Sequence, residues 1–297
     1  MAAIPKWINA GDGKTPQLRW SFVTETPLKY LCLARETGES LAGDESGKLY
    51  RLNRQGELDA VTGGFSSLNG LVFSDNGESA AVILEDSKLV WLNKNCGVVG
   101  SKNFSSDLLS MAIAPYGHLL AVTIDNGSTS IYQGKRNRIT NFVTDRPLSY
   151  LKFLVTERLL LGASEYGVIS LYDLQGDEIW TQSLRTSIGG IAASGDGEQI
   201  YLAGFNLGIQ KYGSNGEREG SVMIEGTPRL VETSYRAERL AVVTLENDLY
   251  WLDDDSKIIW KVKPPEEICN VCSDPLGNWL ICGLSTGEIY CFDWRDW

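Results

Sequence analysis

The sequence repeats itself about every 40 residues. A turn residue followed by an alternating apolar strand recurs along the chain, for example as GKLYRL, GVISLY and GEIYCF. The residues that open these copies are Gly47, Ser87, Gly127, Gly167, Gly208, Asn247 and Gly287, so the successive spacings are 40, 40, 40, 41, 39 and 40. Regular self-similarity at this period constrains the fold more than local propensity does, and it indicates an array of equivalent units.

Each unit has room for about four strands of 4–8 residues and their turns, which is the content of one propeller blade. The turn that opens each copy requires a positive φ or a side-chain bond to the backbone, and Gly, Asn and Ser satisfy one or the other. The hydrophobic fraction of 43% is ample for a packed core. We therefore predict an all-β chain: one seven-bladed β-propeller with four-stranded antiparallel blades, spanning residues 1–297.

The closure of the ring is predicted from a second similarity. The segment LRWSFVTETPLKYL at 18–31 resembles RITNFVTDRPLSYL at 138–151, which is the outermost strand of one blade followed by the crossing into the next. The early copy has no complete blade before it, and the last blade ends without a fourth strand. We expect 17–24 to complete that blade and remove its exposed edges. Residues 1–16 are predicted to be a tail or an extra strand.

The first strands of the blades are predicted from short apolar runs that follow the crossings. They are expected at 28–34, 68–73, 109–113, 148–154, 188–193, 229–232 and 268–272. The second strands include AAVIL and LAVVT, which are apolar on both faces, as expected for strands sandwiched between blades.

The repeat resembles the WD40-like and quinoprotein-like families of β-propellers. LYDLQGDEIW, ending at Trp180, and WLDDDSKIIW, ending at Trp260, match a quinoprotein-type pattern: an apolar-Asp strand end, a turn and a docking Trp, with Trp20 as a third such aromatic. Gly117-His118 is the only Gly-His pair, so the His–Asp network of WD40 blades is absent. The resemblance implies a propeller, but quinone enzymes of this type use adjacent cysteines, which this chain lacks.

Composition narrows the class of partner. The chain has 27 Lys and Arg against 38 Asp and Glu, a net charge of −11. This charge opposes binding to nucleic acid or to anionic lipid and is compatible with a basic protein partner. No apolar run suits a membrane span, and residues 1–10 lack the apolar core of a signal peptide. We therefore expect a cytoplasmic location with all six cysteines reduced, and a monomer outside any complex.

An acidic residue stands two positions before the repeat marker in four successive units. These residues are Glu45, Glu85, Asp125 and Glu165, followed by Asn206, by Leu245 with Glu246 beside it, and by Ser285. Carboxylates at one repeat position would place a negative field on one propeller face, able to steer a basic partner. The alternative is that Asp, Glu and Asn are simply good turn residues. Glu45, Glu85, Asp125, Glu165 and Glu246 are the predicted partner-binding residues.

The motif CNVC, containing Cys269 and Cys272, raises the possibility of zinc. Both residues fall in a predicted strand, where residues three apart face opposite sides and cannot converge on one metal. Cys32 occupies the repeat position equivalent to Cys272, 240 residues earlier. We expect buried structural thiols and no metal site.

Two functions remain after these arguments. The first is a non-catalytic scaffold for protein–protein contacts, as a subunit or adaptor of a larger complex, because the single histidine and the absence of a phosphate-binding loop leave no catalytic constellation. No cofactor is expected. The alternative is a propeller enzyme or a small-ligand or calcium sensor at the mouth of the central channel. Asp44, Asp125, Asn206 and Glu246 are the residues that could supply oxygen ligands there.

Overall fold

Seven antiparallel sheets make up nearly all of the described chain. The computed structural model describes residues 4–135, 137–156 and 158–295. Within them, 29 strands and one short helix form six sheets of four strands and one sheet of five. Strands that follow one another in a blade pair antiparallel. The first strands of neighbouring blades contact each other all the way around, from blade seven back to blade one. The predicted seven-bladed β-propeller is confirmed.

The helix α1 (Lys6–Asn9) and the strands β1 (Asp12–Gly13) and β2 (Gln17–Val23) precede the first blade. Blade one contains β3 (Leu28–Leu33), β4 (Ser40–Asp44), β5 (Leu49–Leu52) and β6 (Leu58–Thr62). Blade two contains β7 (Leu68–Phe73), β8 (Ser79–Leu84), β9 (Lys88–Asn93) and β10 (Val98–Asn103). Blade three contains β11 (Leu108–Ile113), β12 (Leu119–Ile124), β13 (Ser128–Gln133) and β14 (Asn137–Val143).

Blade four contains β15 (Tyr150–Phe153), β16 (Leu159–Ser164), β17 (Val168–Asp173) and β18 (Glu178–Ser183). Blade five contains β19 (Ile188–Ala193), β20 (Gln199–Gly204), β21 (Gly208–Gly213) and β22 (Arg218–Val222). Blade six contains β23 (Pro228–Thr233), β24 (Arg239–Thr244), β25 (Leu249–Asp253) and β26 (Ile258–Val262). Blade seven contains β27 (Ile268–Ser273), β28 (Trp279–Leu284) and β29 (Glu288–Asp293).

The apolar core lies between the blades rather than in one central mass. The described residues form seven apolar clusters, one in each gap between neighbouring blades. In the gap between blades one and two, Leu41 and Leu49 lie in one cluster with Leu71 and Val82. Each such side chain contributes roughly 1.5–3 kcal/mol when it is fully buried. Strands such as β8 are buried on both faces for this reason, as their sequence predicts.

The ring is closed by the N-terminal strand, as predicted for 17–24. Strand β2 pairs with β29, with Trp20 opposite Cys291 and Phe22 opposite Ile289. The cluster between blades seven and one contains Trp20 together with Leu28. The chain ends are thereby joined in one sheet, which removes the edge that blade seven would otherwise expose.

Residues before the closing strand form a helical turn and a short extra strand. Ile8 on α1 is fully buried in the cluster between blades six and seven. Strand β1 adds a fifth strand to blade six, with Gly13 opposite Trp260. The extra strand is one of the alternatives that the sequence leaves open, whereas the helix is not predicted. The one helix among the described residues has four residues, and no helix of that part of the chain could cross a membrane.

Two of the docking aromatics, Trp180 and Trp20, connect their blade to the next. Trp180 of β18 donates its indole N–H to the carbonyl oxygen of Ser214 in blade five, at 2.8 Å. Its ring covers Gly216, whose φ is +77° and where a Cβ would come within 2.5 Å of the ring. Trp20 covers Gly56 of blade one in the same way. Glycine is required at these two turns because the backbone is left-handed and the indole leaves no space.

Candidate partner-binding face

The turns between second and third strands lie on the same side of the propeller as the crossings between blades. We call this side the upper face. The backbone N–H of Glu45 donates to the carbonyl oxygen of Pro27 at 2.9 Å, and that of Glu85 donates to Ser67 at 3.0 Å. Asp125 makes the equivalent bond to Asp107 at 3.0 Å. These bonds fix each turn against the crossing that enters its blade.

The repeat marker of every blade has a left-handed backbone. The φ angles are +79° at Gly47, +55° at Ser87, +85° at Gly127, +85° at Gly167, +69° at Gly208, +68° at Asn247 and +114° at Gly287. Asn247 tolerates this conformation because its side chain donates to the carbonyl oxygen of Glu266 at 2.7 Å and accepts from the N–H of Ile268 at 3.0 Å. The sequence left open a positive φ or a side-chain bond to the backbone at this position, and the structure has a positive φ in all seven blades.

The four carboxylates of the acidic repeat position are all exposed on the upper face. They are Glu45, Glu85, Asp125 and Glu165. Among the described residues, none of the four forms a salt bridge. Their backbones are held by the turn geometry while their charges face solvent. This arrangement leaves one charged group on each of four consecutive blades that a partner can reach.

The equivalent turns of blades five and six differ. Asn206 is exposed, and its backbone N–H donates to Thr186 Oγ1 at 3.1 Å. The carboxylate of Glu246 accepts from the backbone N–H of Thr227 at 2.8 Å and from its hydroxyl at 3.2 Å. The hydrogen bond from the Thr227 backbone holds the pKa of Glu246 below its usual range. Glu246 therefore stabilises the crossing into blade six through Thr227, although its side chain is exposed at the surface.

Asp44 is a structural carboxylate of the blade-one turn. It is fully buried, and its Oδ1 accepts from Ser46 N at 3.0 Å, Ser46 Oγ at 2.7 Å and Lys48 N at 3.0 Å, while its Oδ2 accepts from Tyr50 OH at 2.8 Å. Burial pushes the pKa of Asp44 up, but the hydrogen bonds from Ser46, Tyr50 and Lys48 outweigh it and leave the pKa below its ordinary value. Its oxygens are occupied within the turn.

The candidate oxygen ligands at the channel mouth belong to four different blades: Asp44, Asp125, Asn206 and Glu246. Within the described ranges, no three His, Cys, Asp or Glu side chains are grouped closely enough to hold a metal ion. The calcium or ligand site assigned to these four residues stays a prediction.

Exposed apolar side chains also lie on the upper face, and the acidic repeat pattern does not show them. Tyr166 is 60% exposed and Leu245 is 54% exposed, each beside an acidic turn residue, and Met223 at the start of a crossing is 73% exposed. A groove of about 550 Å³ lies between blades three and four, lined by Asp145 and Tyr166 among others. Exposed aromatic and apolar groups next to charges are typical of protein interfaces.

The two cysteines of CNVC do not face opposite sides, so that part of the prediction is wrong. The thiol of Cys269 donates to the carbonyl oxygen of Leu28 at 3.2 Å, and that of Cys272 donates to Leu31 at 3.6 Å, both on strand β3 of blade one. The reason is a register shift between Ile268 and Asn270, which breaks the strand alternation. Both thiols are packing groups, and burial raises the pKa of Cys269 to about 11.

Charged residues inside the central channel are the feature that the sequence reasoning missed. Lys152 and Glu232 line the channel on the first strands of blades four and six. Counting back in steps of 40 residues puts both at the repeat position of Cys32 and Cys272, which is otherwise occupied by Val72, Ala112 and Ala192. The signal in the sequence was that Lys152 and Glu232 place charged residues at a repeat position that is apolar in the other blades.

The fold has a close counterpart among solved structures. The chain is similar to the crystal structure of the Cps50 (Swd1) β-propeller domain from Myceliophteria thermophila, with a TM-score of 0.80 and 12% sequence identity. The alignment covers 94% of this chain and 100% of that one. At this identity the similarity shows the propeller fold alone. No protein-family model and no curated protein sequence matches the chain.

Proposed function

We propose that this protein is a non-catalytic propeller scaffold, of WD40-like or quinoprotein-like type, that binds a basic protein partner through its upper face. The observation that carries the proposal is the row of exposed carboxylates at one repeat position of blades one to four, fixed by backbone bonds and without salt bridges among the described residues. Such a row presents negative charge at intervals set by the blades.

The apolar groups of the same face support a protein rather than a nucleic acid as partner. Tyr166 and Leu245 offer area that can be buried beside the acidic residues, and aromatic side chains dominate binding hot spots. The net charge of −11 disfavours phosphate backbones and favours basic segments. The protein is proposed to act as a cytoplasmic subunit or adaptor and to be monomeric outside its complex.

The proposal is tested by purifying the tagged protein at native abundance and identifying stoichiometric partners by mass spectrometry. The partner is then titrated against wild type and against the quadruple variant E45Q/E85Q/D125N/E165Q. Each exposed pair contributes about 0.2–1 kcal/mol, so the loss of four pairs should weaken binding by about 0.8–4 kcal/mol, or roughly 4- to 700-fold. Added salt should weaken wild-type binding in the same direction.

A matched control variant removes four negative charges from the face opposite the upper face. Glu57, Glu78, Glu198 and Glu238 are exposed in the turns between first and second or third and fourth strands. The variant E57Q/E78Q/E198Q/E238Q should bind the partner as wild type does. Equal losses in both quadruple variants would mean that net charge alone matters, and the upper face would then lose its assignment. Recovery of no stoichiometric partner would remove the basis of the scaffold function.

A further inference from the structure

The central channel holds a cavity of about 340 Å³ at the end opposite the upper face. Most of the residues that line it are apolar and come from the first strands of the blades, with Leu33, Val72, Met111, Ile113 and Phe153 among them. Four charged side chains face the same cavity: Arg35, Asp75, Lys152 and Glu232. Arg35 and Asp75 lie in turns between first and second strands, which places the charges at the lower end. A small apolar cavity with a few convergent polar groups is the usual form of a ligand site.

The charged groups belong to blades that are not neighbours. Glu232 Oε1 of blade six accepts hydrogen bonds from Arg35 Nη2 of blade one and from Lys152 Nζ of blade four, the second at 3.4 Å. Arg35 Nη2 also donates to the carbonyl oxygen of Thr233 at 3.3 Å. The side chains therefore meet across the channel, and each keeps some solvent access: 11% for Arg35, 19% for Glu232 and 23% for Lys152.

The cluster has hydrogen-bonding capacity beyond these contacts. A lysine ammonium carries three N–H donors and a guanidinium carries five. Among the described residues, the side-chain bonds of Lys152 and Arg35 engage only Glu232 and Thr233. On the acceptor side, those bonds use Oε1 of Glu232, and the carboxylate of Asp75 faces the same space. Both donors and acceptors are available to a small molecule.

The charges are held in a desolvated environment. Burial, followed by the nearby positive charge of Arg35, lowers the pKa of Lys152 to about 7. Burial also raises the pKa of Asp75, against the opposing pull of Arg35 and Lys152. Both shifts show that the charged forms lack part of the solvation they would have in water. A ligand that brings complementary charges would replace that solvation.

We propose that this cavity binds a small zwitterion, specifically an α-amino acid with an apolar side chain. The ligand carboxylate would accept from Lys152 and Arg35, and its ammonium group would donate to Asp75 and Glu232. The apolar side chain would lie against the wall formed by residues such as Met111 and Phe153. This site is distinct from the upper face and does not depend on the proposed partner binding.

The balance of charge selects a zwitterion over a simple ion. The cavity presents two basic and two acidic groups, so a ligand with a net charge would add an unbalanced charge to a poorly solvated space. A neutral apolar molecule would cover the four groups without bonding them, which is also unfavourable. An amino acid supplies both charges two bonds apart and offers an apolar group to the wall.

The experiment is isothermal titration calorimetry of the full chain with L-valine, L-leucine and L-methionine. Three comparison probes resemble leucine but carry a single charge. Leucine amide and 3-methylbutylamine carry only the ammonium group, and 4-methylpentanoate carries only the carboxylate. We expect saturable binding of at least one amino acid and at least tenfold weaker binding of each single-charge probe. Binding of none of the three amino acids, or equal binding of a single-charge probe, would overturn the proposal.

Variants locate the site. K152M and E232Q should each weaken amino-acid binding at least tenfold, whereas K29M, a matched lysine change outside the cavity lining, should leave it unchanged. Circular dichroism and thermal unfolding confirm that each variant is folded. If K152M does not fold, E232Q and the ligand series still decide the question, because neither requires loss of the lysine. Unchanged binding by folded K152M and E232Q would place the ligand elsewhere and overturn the assignment.

Discussion

The indole N–H of Trp294 donates a hydrogen bond to the carbonyl oxygen of Lys14, at 2.9 Å and across 280 residues of sequence. Trp294 also stacks on Trp251 of blade six, with ring centroids 5.2 Å apart. Trp294, which directly follows the last strand of blade seven, therefore contacts both the N-terminal segment and the preceding blade. Closure of the ring involves this contact as well as the pairing of β2 with β29.

Ile8→Ala should destabilise the propeller by about 2–4 kcal/mol, because it leaves a cavity between blades six and seven where the side chain is fully buried. Ile4→Ala is the matched control, since Ile4 is 49% exposed and its removal should cost less than about 0.5 kcal/mol. Urea unfolding followed by tryptophan fluorescence measures both. Equal stabilities of the two variants would show that the N-terminal helix is an adhering tail without a structural role.

Gly127→Ala should be more damaging than Gly134→Ala in the same blade. Both glycines have a positive φ, +85° and +64°, so alanine costs about 1–2 kcal/mol at each. At Gly127 a Cβ would also lie 2.4 Å from the carbonyl oxygen of Thr144, whereas at Gly134 it meets no described atom within 4 Å. Thermal unfolding should rank wild type above G134A and G134A above G127A. The reverse order would contradict the turn geometry of the repeat marker.

Replacing Lys152 should change how stability depends on pH. The pKa of Lys152 is lowered to about 7 in the folded protein, mainly by burial, so between about pH 7 and pH 9 the unfolded chain binds more protons than the folded chain. Stability of wild type relative to K152M should therefore rise with pH in this window, by up to about 1.4 kcal/mol per unit. Urea unfolding at several pH values measures the difference.

K152R supplies the control for that measurement, because a guanidinium stays charged throughout the window. The difference in stability between K152R and K152M should be constant from pH 7 to pH 9. A constant difference between wild type and K152M would instead mean that the lysine keeps an ordinary pKa in the folded protein.

Asp44→Asn should lower the free energy of unfolding by about 1–3 kcal/mol near neutral pH. The substitution removes a buried carboxylate that accepts hydrogen bonds from Ser46, Lys48 and Tyr50. The pKa of Asp44 is depressed in the fold, so its stabilising effect is present above about pH 4 and is lost as the pH falls through the folded value. The difference in the free energy of unfolding between wild type and D44N should therefore become smaller at acidic pH. The exposed Asp125→Asn should have little effect on unfolding at neutral pH.

The repeat explains why so much of the fold is predictable. Each blade is one local meander of about 40 residues, so a periodic sequence specifies strand order and pairing without long-range information. The strand β7 has the predicted bounds of 68–73. The largest difference among the first strands is in blade four, where the strand is Tyr150–Phe153 rather than 148–154. The closing strand was also predictable, because 18–31 carries the pattern of a blade boundary.

Contacts that depend on how blades meet were less predictable. Cys269 and Cys272 share a neighbouring strand only because of a bulge, which the residue types do not show. Asp44 resembles Asp125 as a turn carboxylate in sequence, yet the first is fully buried and the second is exposed. Whether a turn carboxylate faces solvent or its own backbone depends on neighbours such as Tyr50.

The sequence by itself determined the number of blades, the strand order and the positions that need a left-handed backbone, because these follow from a local pattern repeated at a fixed period. Only the tertiary structure decided that Arg35, Lys152 and Glu232 converge, because residues 80 and 197 positions apart become neighbours when the ring closes. A period places equivalent residues at the same depth in the channel. The direction and length of each side chain then determine which of them meet across it.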